Sequence, residues 1–94
     1  MADIETIFLP SRFDYSYHRQ FSEIYNPLLE KAGCKEIILD FSRVDYLDSS
    51  ALGMMVLVQK KAGALGIKVK IKSARDATEE ILKMANMQKI FEFI

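Results

Sequence analysis

The sequence is poor in several residue types, and each shortage rules something out. Cys34 is the one cysteine among 94 residues, so no internal disulfide can form. That fits a reducing compartment. Histidine also occurs once, as His18, and neither residue has partners at metal-ligand spacing. No metal or other cofactor is expected. Formal net charge is zero, with 13 basic and 13 acidic residues, so the basic footprint of a nucleic-acid binder is missing. The N-terminal residues Met1-Ala2-Asp3-Ile4-Glu5 lack the positive stretch and long apolar run of a signal peptide. No apolar run elsewhere suits direct membrane insertion. Two prolines and four glycines leave little material for linkers. What remains is half hydrophobic, enough for a real core. The expectation is a single domain over residues 1–94, located in the cytoplasm.

The stretch that organises the chain is Val44-Asp45-Tyr46-Leu47-Asp48-Ser49-Ser50-Ala51-Leu52-Gly53. Before it lies Ile37-Ile38-Leu39-Asp40-Phe41, a run that suits a strand buried on both faces. After it, Ala51 to Val58 is apolar and Gln59-Lys60-Lys61 is polar, which reads as a helix. Asp48-Ser49-Ser50 therefore sits where a strand hands over to a helix. Asp and Ser are preferred there because their oxygens accept from the unpaired N–H groups of the first turn. The same groups and the helix dipole also favour an anion such as phosphate. A serine hydroxyl here is either a cap or a place for a phosphate.

The rest of the chain alternates between strand and helix patterns. Thr6 to Leu9 reads as a strand closed by Pro10. Asp14 or Ser16 can cap a helix from about Tyr17 towards Ala32, with Phe21, Ile24, Tyr25, Leu28 and Leu29 at helical spacing. Pro27 predicts a kink or break near Asn26. Glu36 to Phe41 is the central strand, and the second helix runs to about Leu65. Lys68-Val69-Lys70-Ile71-Lys72 alternates as a strand with its lysines on the wet face. Asp76 or Thr78 starts a third helix, Asn86 is a left-handed cap, and Ile90 to Ile94 is a last strand. Such alternation implies an α/β domain with helices on a mostly parallel sheet.

The Ile-Ile-Leu-Asp-Phe-Ser run from Ile37 to Ser42, with Val44, Tyr46 and then Asp48-Ser49-Ser50-Ala51-Leu52-Gly53, resembles the STAS domain of bacterial anti-sigma-factor antagonists. Phe13-Asp14 and the segment from Met84 to Phe91 fall where that family has matching segments. Ser11, Ala51 and Pro27 depart from its pattern. The resemblance implies a small STAS-like α/β fold, with a sheet of about four strands packed with three or four helices. It also implies a regulatory protein in signal transduction that switches partners. Ser50 corresponds to the serine phosphorylated in the antagonists. An anti-sigma-type serine kinase would add the phosphate and a PP2C-like phosphatase would remove it. The alternative implied by the family is a structural accessory subunit of a membrane transporter or signalling assembly.

The helix read after Ser50 bears on partner binding. At one hundred degrees per residue, Ser50 shares a face with Gly53, Met54, Leu57 and Lys61. Ala51, Met55, Val58 and Ala62 form the better core stripe. Asp48, Ser49, Gly53, Met54 and Leu57 are the expected partner-binding residues around Ser50. No catalysis is expected: the chain lacks a Gly-x-Ser-x-Gly elbow, and one histidine does not build a serine triad.

Overall fold

In the computed structural model, residues 3–94 are described, and Met1-Ala2 of the segment read for a signal sequence lie outside them. The elements run β1 (Ile4–Phe8), β2 (Arg12–Phe13), a 3-10 turn (Tyr15–Tyr17), α1 (His18–Glu30), β3 (Glu36–Asp40), β4 (Tyr46–Leu47), α2 (Ser49–Ala64), β5 (Lys68–Lys72), α3 (Asp76–Met84), a second 3-10 turn (Met87–Lys89) and β6 (Glu92–Phe93). The main sheet has four strands in the order β1-β3-β5-β6, all parallel. This is the α/β architecture expected, with three α-helices.

Each crossover steps the same way along the sheet. Right-handed crossovers then put all three helices on one face. Burial agrees. Ile7, Ile37, Leu39, Val69 and Ile71 are buried on the helix-covered face, while Ile4, Phe8, Lys68 and Lys72 are exposed on the other. The central strand β3 is thus covered on one face and not on two, and Ile38 on the open face is only half-buried. On that face Lys70 bridges Glu36 at 3.0 Å and Glu92 at 3.8 Å, tying three strands together. The hydrogen bond to Glu36 is the main reason the Lys70 pKa is raised.

The helices follow their apolar stripes. Phe21 and Tyr25 anchor α1, and Phe13 meets Phe21 edge-on at 5.5 Å. Pro27 lies inside α1 and does not end it, so of the expected kink or break the break does not occur. Its ring stands on the exposed side, where the lost N–H bond leaves its acceptor near water. The helix stops at Glu30, and Gly33 supplies a left-handed residue at φ 88. In α2 the expected stripe is buried: Ala51, Met55, Val58 and Ala62 are at 0% exposure. Asn86 adopts the left-handed conformation foreseen for it, at φ 62. The last strand shrinks to Glu92–Phe93 because Met87–Lys89 form a 3-10 turn.

Met55→Ala is expected to destabilise the fold by about 2–5 kcal/mol, since it empties a fully covered site. Lys60→Ala, exposed on the same helix, is expected to stay within about 0.5 kcal/mol of wild type. Urea unfolding with constant slope measures both.

Candidate functional site

A second, two-stranded parallel sheet lies at the end of the molecule where α2 begins. β2 pairs β4, with Arg12 opposite Tyr46 and Phe13 opposite Leu47. Each two-residue strand turns one side chain in and one out: Phe13 and Leu47 are buried, Arg12 and Tyr46 exposed. The chain then meets an aspartate on both paths. Asp14 follows Phe13 and Asp48 follows Leu47, each capping the helical segment beyond. Two helical N-termini therefore open side by side.

Asp48 performs the capping of α2. Its backbone is extended, and Oδ1 accepts from the Ala51 N–H at 3.0 Å. A cap of this kind contributes about 0.5–2 kcal/mol. Ser49 and Ser50 begin the helix, and both are exposed. Among the described residues neither hydroxyl has a hydrogen-bond partner. Of the three polar residues at this junction, Asp48 is the one that caps the helix. It leaves two hydroxyls open at the positive end of the helix dipole.

Asp14 is built differently. It accepts from the Ser16 N–H at 3.0 Å, from the Ser16 hydroxyl, and from Arg12 Nε at 2.7 Å. The Ser16 hydroxyl bond chiefly holds its carboxyl below the usual range, with Arg12 adding to it. Arg12 also lies 4.4 Å above the Tyr46 ring. Tyr15 stacks on His18 at 5.1 Å, and both rings are exposed. Arg12, Tyr15 and Tyr46 thus crowd the same end as Ser50. Their clustering leaves no periodic signal in the sequence, because Arg12 and Tyr46 sit in two-residue strands and Tyr15 in a single 3-10 turn.

The face of α2 beyond Ser50 is mixed. Gly53 is exposed, and a methyl group added there would meet no atom within 4 Å. Leu57 is 42% exposed. Met54 is not open: it is 7% exposed and belongs to the core. The expectation of an accessible Met54 beside Ser50 is therefore corrected. Met54 lies three residues from Ala51 and four from Val58, both fully buried, and its flexible thioether reaches into the same core. The surface around Ser50 is formed by Asp48, Ser49, Gly53 and Leu57.

A shallow cleft lined by Val44, Asp45, Arg75 and Asp76–Thr78 lies beside the loop that leads into β4. Thr78 Oγ1 donates to the Val44 carbonyl at 3.3 Å, and Arg75 donates to the Ser42 carbonyl at 3.4 Å. These bonds tie the loop to α3, and the cleft does not include Ser50. Among the described residues no group of three or more His, Cys, Asp or Glu side chains is arranged to hold a metal ion. No described helix is long and apolar enough to cross a membrane.

The family model for the STAS domain matches residues 3–94. A STAS-domain containing protein of Pseudomonas aeruginosa is 29% identical over 87 residues, covering 93% of this chain and 84% of that protein. Among solved structures, the anti-sigma factor antagonist SpoIIAA in its unphosphorylated form superposes with a TM-score of 0.82 at 14% identity, covering 100% of this chain and 83% of that one. A sulfate transporter family protein from Wolinella succinogenes superposes equally well, at 0.82 and 13% identity, over 95% of this chain and 71% of that one. At these identities the two superpositions establish the fold.

Leu57→Asp is expected to keep the fold, with a melting temperature close to wild type. Met54→Asp is expected to unfold the domain or destabilise it by more than about 3 kcal/mol, because it buries a charge without a partner. Circular dichroism melts of the two proteins distinguish them. Gly53→Ala is expected to stabilise α2 by about 0.5–1 kcal/mol, since the site is open and helical. Urea unfolding checks that gain.

Proposed function

We infer a partner-switching role for this chain, which belongs to the STAS domain family. In this reading the unphosphorylated protein binds a regulator of the anti-sigma serine-kinase type. That kinase transfers a phosphoryl group from ATP to the Ser50 hydroxyl, and a PP2C-like phosphatase removes it. The chain itself performs neither reaction.

One observation carries the reading. Asp48 satisfies the Ala51 N–H, so the exposed Ser50 hydroxyl is not engaged in capping. A serine bound to the backbone would have to give up that bond before it reached a kinase. The face that follows Ser50 suits a docked partner. Gly53 allows close approach of another surface, and Leu57 offers exposed apolar area beside it. The glycine costs the helix about 1 kcal/mol relative to alanine, and the fold itself does not require it.

Phosphorylation would add about −1.5 to −2 charge at the first turn of α2. The free N–H groups there tolerate that charge, so the domain stays folded. The partner does not tolerate it. A surface that fits Leu57 and lies over Asp48 meets a second anion and a desolvation penalty. The switch therefore acts on binding and leaves the fold intact. Ser49 is open as well. Ser50 is preferred because it shares its helix face with Gly53 and Leu57 and matches the family's serine position.

The competing role is a fixed accessory subunit of a membrane transporter or signalling assembly. In either form it predicts an unmodified Ser50, and as a transporter subunit it also predicts recovery of the protein with membranes. Peptide mass spectrometry of protein isolated from its own cells is expected to find phosphate on Ser50. Ser50→Ala is expected to retain its regulator constitutively in pull-downs, and Ser50→Asp to lose it in part, since the mimic carries a single charge. Phosphate on Ser49, or an unmodified protein found with membranes, would overturn the assignment.

A further inference from the structure

Among the described residues, the β1 edge of the main sheet is unpaired. β1 pairs β3 on one side and no described strand on the other. The run Ile4-Glu5-Thr6-Ile7-Phe8 contains no proline, lysine or bulge, and its one charged residue, Glu5, lies on the helix-covered face, held by Lys31. Its backbone groups are assigned by the bonds at its ends. The Leu9 N–H donates to the Asp40 carbonyl, and the Asp3 carbonyl accepts from Lys35 and Glu36. In a strand alternate residues bond to opposite sides, so residues 3, 5, 7 and 9 face β3. The N–H and C=O groups of Ile4, Thr6 and Phe8 therefore point outward. The side chains of these three residues also share one face, the open face of the sheet, and all three are exposed.

We propose that this edge pairs with β1 of a second copy, antiparallel and centred on Thr6. In that register Thr6 faces Thr6 of the second copy, and Ile4 faces Phe8 twice. Each facing pair exchanges two backbone bonds, so every outward N–H and C=O of the three residues gains a partner. The side chains match as well. Ile4 at 50% exposure and Phe8 at 55% are the two large apolar groups of the strand's open face, and the register sets each against the other. Charge is a minor contribution, since Glu36 is already bridged to Lys70 and Phe8 is in register with Asp40. Arg43 lies 5.4 Å from the Phe8 ring, and Ile4 is in register with Glu36 on β3. Pairing Phe8 with Ile4 brings the Arg43 of one copy onto the row that holds Glu36 of the other. A two-fold axis through the Thr6 pair keeps both open faces on the same side, giving one continuous eight-stranded sheet. The same axis makes the contact closed, so it yields dimers and not filaments.

Two five-residue strands make a small interface beside the roughly 1,200–2,000 Å² of a stable complex. The dimer is therefore weak and forms with rising concentration. Sedimentation velocity on the full chain, from about 10 μM to about 1 mM, is expected to show the shift from monomer to dimer. Thr6→Pro removes an outward N–H without touching the bond to β3, and Phe8→Lys puts a charge on the joint. Both are expected to stay monomeric with a native circular dichroism spectrum, and Phe8→Lys decides the matter if the proline variant does not fold. A mixture of isotope-labelled and unlabelled chains reads the register directly. Ile4 and Phe8 stand about 13 Å apart within one strand, so a nuclear Overhauser contact between their side chains arises only across the dimer. A monomer at the highest concentration, a dimer that survives in folded Phe8→Lys, or the absence of that contact in a dimeric sample would each overturn the proposal.

Discussion

One hydrogen bond organises the surface of this domain. Asp48 accepts from the Ala51 N–H, and this starts α2 at a fixed residue. The direction of α2 then follows from its stripe of Ala51, Met55, Val58 and Ala62, which must reach the sheet. With the start and the rotation both set, Ser50, Gly53 and Leu57 have only the outer face left. Chemistry at the surface is thus a by-product of capping and core packing. The miniature ladder of β2 and β4 supports the same point, because it holds Leu47 in place and so aims Asp48 at the helix.

The sequence reading succeeded where a period was long enough to be read. Val69 and Ile71 alternate with lysines across five residues, and the strand appeared where the alternation lay. The α2 core stripe spans three turns, and every member is buried. A capping residue within Asp48-Ser49-Ser50 followed from the chemistry of a strand-to-helix junction, whereas the choice of Asp48 came from the structure. Three features escaped. β2 and β4 are two residues each, too short for any period, and they exist because Phe13 and Leu47 fill the space beneath them. Pro27 carries a strong local penalty, yet Phe21 and Tyr25 hold α1 to the sheet and outweigh it. Met54 lies at the border of the helix stripe. A helical wheel assigns it to the Ser50 face, but a long unbranched side chain can bend back into the core.

The open face of the sheet balances charge against apolar surface. Lysines on β5 meet Glu36 and Glu92, so the centre of the sheet carries neutralised pairs where a second layer of helices would otherwise sit. The β1 side of the same face has no such pairs and exposes Ile4 and Phe8. A single sheet thus presents a wet half and a greasy half, and the unpaired strand edge borders the greasy half.

The all-parallel main sheet also dictates the order in which the chain can assemble. Among the described residues no hairpin exists within it to nucleate pairing. Ile4 must find Glu36, Glu36 must find Lys68, and Lys70 must find Glu92, each across a whole helix. Loop closure of that length is paid before any ladder bond forms, so folding falls in the slower range for mixed α/β domains. On a ribosome β1 has no partner until β3 and the helix between them have emerged. The strand with the barest edge is consequently the one that waits longest unpaired, and its Ile-Glu-Thr-Ile-Phe run is the segment that a chaperone would need to shield.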